Sequence, residues 1–134
     1  MKRSLVALFA CAMGITLAAA PAIAHHSFAA EFDANKAVTM QGYVTKIEWT
    51  NPHVWFYIDV KKPDGSVENW GWEMGPPHGL QARGWTRTTM KLGDEVKIDG
   101  TLAKNGSNRG NARSVTMVST GKRLGAASSE GETP

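Results

Sequence analysis

The sequence has almost no cysteine: Cys11 is the single one among 134 residues, and it lies inside an apolar run near the start. The chain beyond that run therefore has no disulfide framework and no thiolate metal site. Downstream of Ala24 the sequence also lacks any stretch approaching the ~20 consecutive apolar residues of a membrane-spanning helix. These absences indicate one small domain that folds by burying apolar side chains, in which any metal ligands are nitrogen or oxygen atoms.

Several catalytic signatures are missing as well. The chain has no glycine-rich phosphate loop, no nucleophile elbow, no cysteine–histidine pair and no helical His-x-x-x-His zinc motif. The sequence therefore argues against hydrolases and nucleotide enzymes, and it favours a protein that binds a ligand over one that catalyses a reaction.

The start of the chain has the pattern of an export signal. Lys2 and Arg3 precede an apolar run over residues 5–20, and a small-x-small cleavage pattern ends at Ala24. We expect cleavage after Ala24 and delivery of the mature protein to the periplasm or beyond the cell. Lipidation at Cys11 is the alternative, but the apolar stretch before that cysteine is very short.

Charge is nearly balanced once this signal is removed. The whole chain has 15 Lys and Arg against 12 Asp and Glu, and the signal takes away Lys2 and Arg3 but no acid. The mature chain therefore has 13 bases against 12 acids. Without a basic surplus, no nucleic-acid partner is expected.

The mature chain divides into three parts by composition. Residues 25–37 lack a clean period and predict an N-terminal arm, whereas residues 38–120 alternate apolar and polar side chains and predict the folded domain. Residues 121–134 are small and polar, so we expect a disordered tail.

The clearest strand pattern covers residues 53–60. Apolar side chains at the even positions alternate with His53, Trp55, Tyr57 and Asp59, so a period of two places the two groups on opposite faces. A turn at residues 62–65 then leads into a returning strand, and the two strands form a hairpin.

The order of the remaining elements predicts the fold class. A long first strand with a bulge or bend beside Gly42 precedes the hairpin, and a short helical connection within residues 78–85 follows it. Two more strands come next, separated by a turn-rich loop over residues 104–113. This succession predicts an all-β fold, a small OB-type five-stranded Greek-key barrel with one short helical connection between strands 3 and 4. A small open β-sandwich is the alternative.

Several sequence blocks together carry a family resemblance. They are His25-His26-Ser27-Phe28, Asn51-Pro52-His53-Val54-Trp55, Arg83-Gly84-Trp85 and the segment 106–115, which reads GSNRGNARSV. These blocks are similar to those of an uncharacterised family of small exported bacterial proteins, catalogued as a domain of unknown function. The resemblance covers nearly the whole mature chain and implies no activity.

The histidines suggest a metal site. Cleavage after Ala24 makes His25 the N-terminus, whose α-amine and imidazole can chelate one ion together. His26 adds a second imidazole, His53 a third from the folded domain, and His78 is the reserve ligand. Nitrogen ligands favour Cu(II) over Zn(II) and Ni(II). The start resembles the histidine-brace sites of copper proteins, which implies copper as the cofactor.

A surface without metal is the second candidate site. Trp55 and Tyr57 share one face of their strand, and Arg109 and Arg113 offer planar guanidinium groups to an anion. Such a surface suits an oligosaccharide, a peptide or a protein partner. Alternatively, the phenylalanines of the arm pack on Trp55 and cover this face.

The sequence therefore predicts an exported binding module, most concretely one for periplasmic capture or delivery of Cu(II). Its partners are a metal ion or small ligand and, in addition, a periplasmic protein. Two alternatives stay open: a non-metal binding module, and a copper oxidase of the histidine-brace kind. The enzyme is the less favoured of these, because so short a chain offers little flat surface for a polymeric substrate.

Overall fold

The computed structural model describes residues 28–128, and these residues form an all-β fold. The elements in chain order are α1 (Phe28–Glu31), β1 (Phe32–Glu48), β2 (Trp55–Lys61), β3 (Val67–Glu73), α2 (Pro77–Ala82), β4 (Glu95–Ala103), β5 (Arg109–Met117) and β6 (Arg123–Gly125). The predicted all-β class and the helical connection between the third and fourth strands are confirmed. The expected export signal, His25 and His26 lie outside the described residues.

The strands pair in the order β3-β2-β1-β4-β5-β6. These neighbours are antiparallel, and β3 also pairs in parallel with β5. Each of the strands β1 to β5 therefore has a hydrogen-bonded neighbour on both sides. The sixth strand, β6, was not expected, and among the described residues it pairs with β5 alone.

The first strand is long and irregular, as the slip in its apolar pattern predicts. Its register against β2 shifts between Val44 and Lys46, two residues beyond the expected position at Gly42. Gly42 itself meets a different requirement, because a Cβ there would lie 2.4 Å from the carbonyl oxygen of Asp59. The glycine lets the backbones of β1 and β2 approach, and the bulge follows it.

The core lies against the even-numbered face of β2. Val54, Phe56 and Ile58 are fully buried, which confirms the predicted alternation. The connection through α2 contributes Leu80 and Trp85, both buried, and the indole Nε1 of Trp85 donates to the carbonyl of Gly125 at 2.8 Å. The other large side chains of this core are Trp72, Met74, Val96, Ile98 and Val115.

The prediction of a disordered tail is wrong for residues 121–128. This segment forms β6 and a buried stretch in which Ala126 and Ala127 are 0% and 3% exposed. The amide of Gly75 donates to the carbonyl of Ala126, and a Cβ on Gly75 would lie 2.9 Å from the carbonyl oxygen of Ala127. Small residues allow this close backbone packing. Because small and polar residues are also typical of disordered segments, composition alone predicted disorder here. Residues 129–134 lie outside the described residues.

The expected loop over residues 104–113 is also too long, because β5 already begins at Arg109. A Cβ on Gly110 would lie 2.4 Å from the Trp72 ring, so this glycine makes room for the indole and does not mark a turn. Residues 104–108 do form a loop, with Gly106 at a positive φ of 76°, whereas Gly110 and Asn111 belong to β5.

The expected arm is shorter than predicted, because β1 begins at Phe32 and not at residue 38. Phe32 is buried, and its ring lies 5.6 Å from that of Phe28 in α1.

Within residues 28–128, no helix has the length and apolar character needed to cross a membrane.

Candidate functional site

A histidine–carboxylate pair lies where the hairpin strands β2 and β3 meet α2. Nδ1 of His53, just before β2, contacts Oε1 of Glu73, the last residue of β3. Two backbone bonds hold this corner: Val54 donates to Gly75, and Met74 donates to Val54. The Glu73 residue is 6% exposed, whereas a quarter of the His53 side chain reaches solvent. A buried acid therefore fixes the orientation of a partly exposed imidazole.

This contact sets the chemistry of the imidazole. A neutral histidine that donates from Nδ1 to a carboxylate carries its lone pair on Nε2. A buried carboxylate behind the ring also fixes its orientation, as it does for histidines that ligate metals. His53 can therefore act as a single nitrogen ligand.

His53 opens onto a cleft of about 320 Å³, here called the histidine cleft. Glu31, Trp55, Glu73 and Arg109 line it with His53, together with residues 50–52. Trp55 pairs with Glu73 in the register of β2 and β3, which places the indole beside the His53–Glu73 pair. The cleft thus combines one imidazole, two carboxyl groups, one guanidinium and one large aromatic ring.

A second cleft of about 280 Å³, here called the arm cleft, shares three of these residues. Glu31, Trp55 and Arg109 line both clefts, and Phe32 and Lys104 line only the arm cleft. The guanidinium carbon of Arg109 lies 5.4 Å from the centre of the Trp55 ring, within cation–π range. Arg109 and Trp55 therefore form the boundary between the two clefts.

The short helix α1 is attached at the mouth of these clefts. The amide of Lys104 donates to the carbonyl of Glu31 at 2.9 Å, and the Lys104 ammonium donates to the carbonyl of Ala29. These bonds hold the first described residues beside the clefts. The described part of the chain therefore begins beside the two clefts.

Tyr57 shares the strand face of Trp55 but takes part in a different network. Its hydroxyl donates to Glu48 at 3.1 Å, and Lys46 pairs with the same carboxylate at 2.6 Å. Burial raises the pKa of Tyr57, and its hydrogen bond to Glu48 raises it further. Tyr57 lines neither cleft, so the predicted Trp55–Tyr57 surface is divided between two environments.

Two other predicted site residues lie elsewhere. Arg113 lines a separate cleft with Thr39 and Asp99, and His78 is exposed on α2. The structure therefore brings together His53, Trp55 and Arg109, and it leaves Arg113 and His78 apart from them.

Glu73 and Glu31 are the site residues that sequence reasoning missed. One feature of the sequence points to Glu73, because it is the one charged residue in the otherwise aromatic and apolar segment 70–74. Glu31 gives no signal, because only the folding of α1 against Lys104 brings it to the cleft.

A complete metal site is not formed by the described side chains alone. Among residues 28–128, no group of three His, Cys, Asp or Glu side chains is arranged to hold an ion. His53 would therefore need partner ligands from outside this range.

Fold and site together define a small all-β domain with a carboxylate-oriented histidine in a surface cleft. The chain belongs to a family of unknown function (DUF6152), whose model matches residues 13–113. This confirms the resemblance to a domain of unknown function. No curated protein matches the chain.

Proposed function

We propose that the protein is an exported binding module that captures or delivers Cu(II) in the periplasm. His25, exposed by cleavage after Ala24, supplies its amine and ring, and His26 and His53 supply further imidazoles. The observation that carries this proposal is the His53–Glu73 pair. Histidines that ligate metals commonly have such an acid bound to their other ring nitrogen, where it orients the ring.

The position of α1 supports the participation of the N-terminus. His25 precedes Phe28 by three residues, and three extended residues span at most ~10 Å. Phe28 begins the helix that ends at Glu31, and Glu31 lines the histidine cleft. At most ~10 Å of chain therefore joins the amine of residue 25 to α1, the helix whose last residue lines the histidine cleft.

The donor types favour copper. An amine and imidazoles form a nitrogen set, and Cu(II) binds nitrogen ligands more strongly than the other divalent ions of its row. No thiolate competes, since the only cysteine lies in the proposed signal.

We further propose that the domain is a closed barrel of OB type. The two-sided pairing of β1 to β5 supports closure, and α2 lies between β3 and β4 as that topology requires. In such a barrel the hairpin face and adjoining loops are the customary binding surface. His53, Trp55 and Arg109 meet on this side of the domain.

Calorimetric titration tests the copper proposal. Protein purified from the periplasm, with His25 confirmed as its first residue by mass spectrometry, is compared with a version that has one alanine before His25. Cu(II) binding should weaken strongly in the extended protein, because the amine moves away from the ring that completes the chelate. Equal affinity in both would remove the amine from the site. His78→Gln is the control, since that exposed imidazole should not contribute.

The contact between Arg109 and Trp55 favours a second candidate, a module that binds a carboxylate-bearing peptide or sugar. Arg109 borders both clefts and presents planar donors that match a carboxylate. If Cu(II) leaves the melting temperature unchanged, the non-metal module is favoured, because a ligand of the native state has to raise apparent stability.

A further inference from the structure

An apolar groove lies beside the bulge of β1, away from both clefts. It has a volume of about 520 Å³ and runs between residues 45–47 of β1 and residues 87–92 before β4. Ile47 and Met90 provide its apolar floor, and both pack against the core. We call it the basic groove, for the charges described below.

One wall of the basic groove is a turn fixed by hydrogen bonds. The Lys91 amide donates to the Asp94 carboxylate at 2.9 Å, and Gly93 adopts a positive φ of 85°. Gly93 and Val44 are joined by a backbone bond of 2.8 Å, which holds the turn against β1. Leu92 at the tip is 66% exposed, so a rigid turn displays a large apolar side chain beside an apolar floor.

The charged side chains that line the groove are positive, namely Lys46, Arg87 and Lys91. No acidic side chain of residues 28–128 lines it, and the nearby Asp94 carboxylate accepts from the Lys91 amide. Lys46 already pairs with Glu48. Within residues 28–128, no carboxylate forms an ion pair with the side chain of Arg87 or Lys91, and both residues are exposed. Two cations without a carboxylate partner in this part of the chain therefore flank an apolar surface.

From this combination we propose that the basic groove binds a single-tailed anionic amphiphile, namely a fatty acid. The carboxylate lies between Arg87 and Lys91, and the alkyl chain covers Ile47, Met90 and Leu92. Charge complementarity favours an anion, and the apolar floor favours an alkyl tail. The volume falls within the ~300–1,000 Å³ of ordinary small-molecule sites. This site is separate from the proposed copper site.

Binding of monomeric laurate, measured by calorimetry below its micelle concentration, tests this proposal. We expect one site per chain, with amide shifts in nuclear magnetic resonance spectra confined to residues 45–47 and 87–92. The double variant Arg87→Glu/Lys91→Glu should weaken binding by about tenfold or more. Decanoate, which lacks two methylene groups, should bind up to about 15-fold more weakly than laurate.

The control variant Lys36→Glu/Lys61→Glu makes the same change in net charge at exposed positions outside the groove. It should bind laurate as the unaltered protein does. Equal loss in both double variants would show a non-specific charge effect and overturn the proposal. Dodecyltrimethylammonium binding as tightly as laurate would also overturn it, and so would binding to anionic vesicles without binding to monomeric laurate.

Discussion

The segment 53–58, which comprises His53, Val54 and the first residues of β2, has two faces that depend on different interactions. On the inner face, Val54 and Phe56 are fully buried in one continuous core. On the outer face, His53, Trp55 and Tyr57 each contact a different strand: His53 meets Glu73 of β3, Trp55 meets Arg109 of β5, and Tyr57 meets Glu48 of β1. The inner face therefore depends on apolar periodicity alone, whereas the chemistry of the outer face depends on which strands become neighbours.

Phe56→Ala should have the largest effect on stability, because it removes a fully buried ring from the inner face. Such truncations cost about 3–5 kcal/mol in free energy of unfolding, from lost apolar burial and the cavity left behind. Urea denaturation followed by tryptophan fluorescence measures this cost. A loss below about 1 kcal/mol would mean that the inner face is not the main source of stability.

Glu73→Gln should weaken Cu(II) binding by about 10–100-fold if His53 is a ligand, because a neutral amide replaces the carboxylate that orients its ring. Calorimetric titration with Cu(II) measures this effect. Glu68→Gln makes the same change of charge on β3, where Glu68 pairs with Lys62 in solvent. That control should bind copper normally, and equal weakening in both variants would contradict a specific role for Glu73.

Asp99→Asn tests the polar surface of β4, which pairs with β1 and β5. Thr39 donates to Asp99 at 2.7 Å and Arg123 at 3.1 Å, which links β1, β4 and β6. The Thr39 hydrogen bond, with the Arg123 charge, lowers the pKa of Asp99. Since these partners are partly exposed, we expect a loss of about 1 kcal/mol at neutral pH.

The pH dependence of this loss has a definite sign. A carboxyl group with a lowered native pKa stabilises the fold above its unfolded pKa, and this contribution is lost as pH falls through the native pKa. The stability difference between the protein and Asp99→Asn should therefore shrink in acid. Denaturant titrations at neutral and acidic pH measure it, and a difference that grows in acid would contradict the assignment.

Tyr57→Phe should have the smallest effect, less than about 1 kcal/mol, since only the hydrogen bond to a partly exposed Glu48 is lost. The raised pKa of Tyr57 gives a more sensitive readout. In a pH titration followed by phenolate absorbance, Tyr57→Phe should lack one ionisation step. In the unaltered protein, that step should have a pKa above the ordinary tyrosine range. If that step lies within the ordinary range, the outer-face network of Tyr57 is too weak to matter.

The pattern of apolar and polar residues along the chain was enough to predict those parts of the fold that depend on sequence neighbours. Strict alternation in residues 53–60 identified the buried face of β2, and the helical connection predicted within residues 78–85 overlaps α2. Segments whose glycines and alanines serve close packing were misassigned, because Gly110 and Ala126 resemble turn and tail residues until their neighbours are known.

The candidate site was predictable only in part. His53, Trp55 and Arg109 were singled out by residue type, and their meeting depends on the parallel pairing of β3 with β5. Glu73 gains its role from contact with His53 across the hairpin end, and a linear sequence does not state that contact.

Pulsed electron paramagnetic resonance of the Cu(II)-loaded protein tests the central claim most directly, because the remote nitrogen of each coordinated imidazole modulates the spectrum. The protein that begins at His25 should show several imidazole ligands, and His53→Gln should show one fewer. An unchanged imidazole signal in His53→Gln would contradict the account, since copper would then be held by the N-terminus without the folded domain.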